Sequence, residues 1–196
     1  MPNSETAFVS PYQTRNAMKE FWNAWCTCQM NVLYHRRRAG VFHRRIRLLD
    51  ICSLSLAAVA GLGVLAGIKA IPDTVWAVIA FASGIIGQLR SIFRWPDNTQ
   101  EEQALENDYI SVLVLLKRFL DDAKHLNGIT DDLFAHQFQR ALERFNSLTL
   151  ERDKTDYKNE ETEPLWREVL EQFPPTDQWM PDSAIESRKE DANIDG

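Results

Sequence analysis

With 196 residues, 26% of them charged, a mean hydropathy of -0.34 and a net charge of -6, the averaged chain reads as an acidic soluble protein. The average conceals a division: Lys and Arg exceed Asp and Glu by five over residues 1–50 and by two over 51–96, whereas residues 97–196 carry an acidic excess of thirteen. The chain is therefore three charge compartments rather than one uniform domain, and its three cysteines, Cys26, Cys28 and Cys52, lack the number and spacing of a disulfide framework or a zinc site, which fits a reducing compartment.

Residues 1–14 read as a flexible N-terminus. In the next segment, 15–47, Met18, Phe21, Trp22, Trp25, Cys28, Val32 and Ala39 recur at three- and four-residue steps, the pattern of an amphipathic helix. Its Trp-rich stripe either docks on the helices that follow the apolar region, the favoured reading, or lies in a headgroup layer. The segment ends in a basic stretch that leads into the first apolar run.

From Ile51 to Ile68 there are 18 uncharged residues, and 16 more run from Thr74 to Leu89. At a rise of 1.5 Å per residue, 18 residues cover about 27 Å, close to the thickness of a hydrocarbon core. The second run reaches a similar thickness if Ile92 and Phe93 join it and Arg90 snorkels. Two such runs in tandem argue for membrane spans over buried helices of a soluble domain, and 47 residues of preceding chain argue against a cleaved signal peptide. The short link Lys69–Asp73 forces an antiparallel hairpin over residues 48–95. Arg36, Arg37, Arg38, Arg44, Arg45 and Arg47 precede it and Arg90 and Arg94 close it, so the positive-inside bias puts both termini in the cytoplasm. Trp76 and Trp95 stand where interfacial aromatics are expected.

Residues 97–173 read as a cytosolic helical region. Thr99-x-x-Glu102 is a capping box for a helix carrying Leu105, Tyr109, Val112, Leu116, Phe119 and Ala123, ended by Asn127-Gly128. Thr130 or Asp131 caps a second helix with the stripe Leu133, Phe134, Phe138, Leu142, Phe145 and Leu148. Residues 151–163 read as a polar frayed helix end or linker, Pro164–Phe173 as a short helix, and 174–196 as a mostly disordered acidic tail in which Trp179 and Met180 could dock. The expected fold is an all-α membrane protein: amphipathic helix, two-span hairpin, cytosolic helical hairpin and short C-terminal helix.

Small residues line both spans. Ala77, Ala80, Gly84 and Gly87 fall on one face of the second span, and Gly63 and Gly67 repeat at four residues on the first, a spacing that lets helices approach closely in lipid. Self-association is expected, as a tetramer or larger.

No catalytic constellation, cofactor loop or metal-ligand spacing is present, so neither an enzyme nor a cofactor is expected. The polar residues near the apolar runs carry the functional readings. Asp50, Gln88 and Arg90 form either an ion pair at the headgroups or a ring at the mouth of a pore. The arginines at 36–38, 44, 45 and 47, with His35 and His43, either set topology against anionic lipid or bind the phosphates of a nucleotide or oligonucleotide.

The order of these parts resembles the SLATT domain over roughly residues 15–173: an amphipathic helix with Trp25, then Tyr34-His35-Arg36-Arg37-Arg38-Ala39 and Arg44-Arg45-Ile46-Arg47, a glycine-rich two-span hairpin, and a long cytosolic helical hairpin. That resemblance implies a pore-forming effector of a bacterial anti-phage system in the inner membrane. Its opening would be controlled by a nucleotide signal from a partner nucleotidyltransferase, and it would act by depolarisation. The competing expectation is a non-conducting anchor that recruits a cytosolic protein.

Overall fold

The computed structural model describes residues 11–65, 72–126 and 129–174, without the side chains of 11–13, 64, 65, 73, 90 and 91. The expectations placed on Gly67, the start of the Lys69–Asp73 link, the Arg90 side chain, the Asn127-Gly128 cap and the Trp179–Met180 dock lie outside these residues. All regular structure among the described residues is helical: α1 (Pro11–Leu65), α2 (Asp73–Ile92), α3 (Trp95–His125), α4 (Gln139–Ser147) and α5 (Asn159–Gln172), with π-helical turns at Leu133–Phe138 and Leu148–Arg152. The chain divides into two compact units, one made of the residues up to Tyr34 with those from Leu105 onward, the other of His35–Ala104.

In the first unit the N-terminal part of α1 packs on α3, α4 and α5. Met18, Phe21, Trp25, Cys28 and Val32 are buried in a core with Tyr109, Val112, Leu116, Phe119, Phe138, Leu165 and Val169. Phe21 meets Phe119 at 6.1 Å between ring centroids, Trp25 meets Phe173 edge-on at 5.9 Å, and the Trp22 indole N–H donates to the Phe173 carbonyl at 3.3 Å. The Trp-rich stripe is thus core, as the docking reading held. Burial raises the thiol pKa of Cys26 to about 11 and pushes that of Cys28 up as well, which makes both packing residues.

Two local readings are corrected here. Thr99 does not cap α3, which begins four residues earlier at Trp95 with Pro96 in its first turn, where a missing N–H costs nothing. The Thr99 hydroxyl donates back to the Trp95 carbonyl at 2.8 Å, and Glu102 points elsewhere. Residues 151–163 hold a helix end and the mostly exposed link to the next helix, and within them Asp153 and Thr162 turn inward. The π turn at Leu148–Arg152 adds one residue to the helical repeat, so Asp153, bonded through its N–H to the Leu148 carbonyl, falls on the buried face. There Asp153, 7% exposed, accepts from the Tyr109 hydroxyl at 2.7 Å and from the Tyr157 hydroxyl. The last helix starts at Asn159 and carries Pro164 inside it, five residues earlier than the proline suggested. Thr130 does cap the segment that follows α3, its Oγ1 accepting from the Leu133 N–H at 3.2 Å.

In the second unit the later half of α1 runs antiparallel to α2 and the first turns of α3. Four tiers fix the register. Gly63 faces Trp76, Ser53 faces Ser83 and Gly87, Arg45 faces Trp95, and His35 faces Glu102. α1 passes without a break from amphipathic to apolar sequence as far as Leu65. Between α2 and α3 the chain turns at Arg94, whose φ of 51° is the left-handed conformation.

Candidate functional site

The sequence candidates fall in the second unit, in two zones. The apolar zone carries large side chains on its outer surface on both arms: Leu48, Ile51, Leu54, Val59 and Leu62 on α1, and Val78, Phe81, Ile85 and Ile92 on α2. Among the described residues one helix is long and apolar enough to cross a membrane, and only 11% of its most apolar 18-residue window is buried. A helix that forms the core of a soluble domain would have most of that window covered. α2 is also apolar, and at 20 residues it extends about 30 Å.

Inside the arms the contacts are small and polar. The Ser53 hydroxyl donates to the Ser83 carbonyl at 3.0 Å and the Ser83 hydroxyl donates to the Ser53 carbonyl at 2.8 Å, a reciprocal clasp whose four groups satisfy one another without water. Gly63 lies under the Trp76 indole, where an added Cβ would come within 2.3 Å of the ring. Trp76, 7% exposed, is therefore an internal packing residue and not an interfacial one. Gly63 belongs to the contact between the arms, and Gly87 sits beside the Ser53 hydroxyl. Ala77, Ala80 and Gly84 are exposed, and the space over Gly84 is open to 4 Å. The small-residue faces thus separate into one used within the hairpin and one turned outward.

The polar zone holds the arginines. His35 is fully buried and its Nδ1–H donates to Glu102 Oε2 at 2.6 Å, while Arg38 Nε donates to Glu102 Oε1 at 3.0 Å. Burying the imidazole and the carboxylate together is tolerable because each neutralises or satisfies the other. This triad withdraws His35 and Arg38 from the group expected to meet a phosphate: a soluble anion cannot reach His35, and Glu102 already occupies Arg38. Periodicity could not have found the partner, since Glu102 reads as half of a capping box.

The remaining cations are on the surface. Arg36, Arg37, His43, Arg44, Arg45 and Arg47 are exposed, as is Gln88, and Asp50 is half-buried. Arg44, Arg45 and Arg47 make no ion pair among the described residues. The Arg45 guanidinium instead lies 5.8 Å from the centre of the Trp95 ring, and Trp95 stacks on Phe93 at 5.3 Å and 16°. Asp50 follows Arg47 by three residues on α1, and Gln88 precedes the exposed Arg94 by six on the other arm.

Among the described residues no group of three His, Cys, Asp or Glu side chains is arranged to hold a metal ion. Compared with family models, with curated proteins and with solved structures, the chain matches none.

Proposed function

We propose that this protein is a two-span membrane protein of the bacterial inner membrane whose hairpins associate into a pore, with both termini in the cytoplasm. The observation that carries the reading is the inverted hairpin: serine, glycine and one tryptophan inside, leucine, isoleucine, valine and phenylalanine outside. Water penalises that arrangement and lipid favours it, because exposed apolar patches of this extent otherwise mark an interface. Both spans end toward exposed arginines, as a positive-inside hairpin requires.

Association into a tetramer or larger follows from the outward face of Ala77, Ala80 and Gly84, which a neighbouring span can approach closely. Asp50 and Gln88 would then stand near the cytoplasmic mouth. The resemblance to SLATT domains adds the role: an effector of anti-phage defence that depolarises the cell under the control of a nucleotide or oligonucleotide made by a partner nucleotidyltransferase. With His35 and Arg38 held by Glu102, the exposed candidates for such a signal are Arg36, Arg37, His43, Arg44, Arg45 and Arg47.

Ion flux from proteoliposomes holding only this protein tests the proposal, with particle mass measured in detergent. Flux that requires an oligomer and changes its reversal potential in Asp50→Asn supports a pore with Asp50 at the mouth. An intact, inserted protein that passes no ions with any nucleotide added is a non-conducting anchor.

A further inference from the structure

The junction of the two zones carries an arrangement that topology alone does not need. Phe93 ends the apolar surface of α2, Trp95 begins α3, and Arg45 reaches across from α1 to lie over the indole, so that one stack joins both arms. Phe93 is 53% exposed and Trp95 half-buried, so the stack has an apolar edge and a cationic edge, both accessible. Arg44, also exposed, is the next cation round α1 from Arg45 toward Leu48 and Ile51, which are exposed one to two turns further along, whereas Arg47, two positions after Arg45, projects from the far face of the helix. The first turn of α3 begins at the same stack.

We propose that Arg44, Arg45 and the Trp95–Phe93 stack form a seat for the phosphate of an anionic phospholipid. The inference rests on the membrane reading given above and assigns a partner to one part of the basic collar. A phosphodiester requires donors that are not already occupied by carboxylate, and these two arginines make no ion pair among the described residues. The adjoining exposed Leu48, Ile51 and Phe93 would meet the acyl chains of the same molecule, so the seat pairs charge with apolar surface as a lipid does. A free phosphate shares the headgroup chemistry but has nothing to place on those side chains. The chemistry therefore commits to lipid, and it separates this group from Arg36 and Arg37, about two helical turns earlier on α1.

The test uses the full chain in nanodiscs of phosphatidylcholine with and without phosphatidylglycerol, reading retained phosphatidylglycerol by native mass spectrometry and the melting temperature of the protein. Wild type should retain phosphatidylglycerol and melt higher with it. Retention should weaken about fivefold for each of Arg44→Gln and Arg45→Gln. Trp95→Leu should weaken it too, whereas Arg36→Gln/Arg37→Gln should leave it unchanged. Equal loss in the Arg36→Gln/Arg37→Gln protein, or no preference for phosphatidylglycerol, would overturn the assignment. So would a higher melting temperature with inorganic phosphate or ATP in phosphatidylcholine alone, which would identify a soluble anion. Resistance to alkaline carbonate extraction is measured in parallel, because failure to insert refutes the membrane reading itself, while insertion without lipid preference refutes only the seat.

Discussion

Asp153 shows how one carboxylate organises the first unit. It accepts from Tyr109 and Tyr157 and from the Thr155 N–H at 3.0 Å, so it closes the segment after α4 onto α1 and α3. Tyr157 also packs on Tyr34, with ring centroids 4.8 Å apart. Tyr157→Phe keeps that packing and removes one donor to a buried charge, so it should cost about 1–3 kcal/mol, read from urea melts in detergent. Both hydroxyls are held protonated: burial is the first cause, and the hydrogen bond to Asp153 the second. A raised tyrosine pKa contributes stability that is complete below the unfolded value near 10 and lost as pH rises above it. The chain should therefore lose stability above about pH 10, less steeply in Tyr157→Phe, which circular dichroism against pH measures. At Arg94 the left-handed backbone gives a second prediction. Glycine tolerates that φ and alanine does not, so Arg94→Gly should be more stable than Arg94→Ala by about 1 kcal/mol.

At the scale of elements, the helices followed from ordinary signals and their irregularities did not. The stripe from Met18 to Val32 and the face from Leu105 to Ala123 both obey a 3.6-residue repeat, and each lies where that repeat puts it. The π turns break the repeat by one residue, so a polar Asp153 moves inward with nothing in the local sequence to mark it. The His35–Glu102 and Arg45–Trp95 pairs join residues 67 and 50 positions apart, and only the antiparallel register brings them together. The small residues were legible as a class, but which face each served depended on that register. Gly63→Ala should disturb the hairpin by about 1–3 kcal/mol, since the methyl group meets the Trp76 ring. Gly84→Ala should leave thermal stability within about 0.5 kcal/mol, because open space surrounds it. If the outward face joins neighbours, Gly84→Leu should reduce particle mass in detergent while helicity stays at the wild-type level. Unchanged mass would remove Gly84 from any contact between copies.

For the whole molecule, the two units have opposite logic. The first hides its apolar residues around Phe21, Tyr109, Phe119 and Phe138 as a water-soluble domain does, and the second displays them. One chain with both is explained if the solvent differs between them. Acidic sequence after Pro96 and basic sequence before Ile51 fit a bilayer whose inner face attracts the arginines. Pore formation and control by a nucleotide are proposals built on that partition, and they have no footing without it. The most direct measurement is the environment of a single nitroxide label placed at Leu54 or at Phe81 in proteoliposomes, 70% and 71% exposed respectively. Lipid around the hairpin predicts frequent collision with oxygen and little with a water-soluble nickel complex at both positions. Strong relaxation by the nickel complex at both would place the hairpin in water and contradict the account.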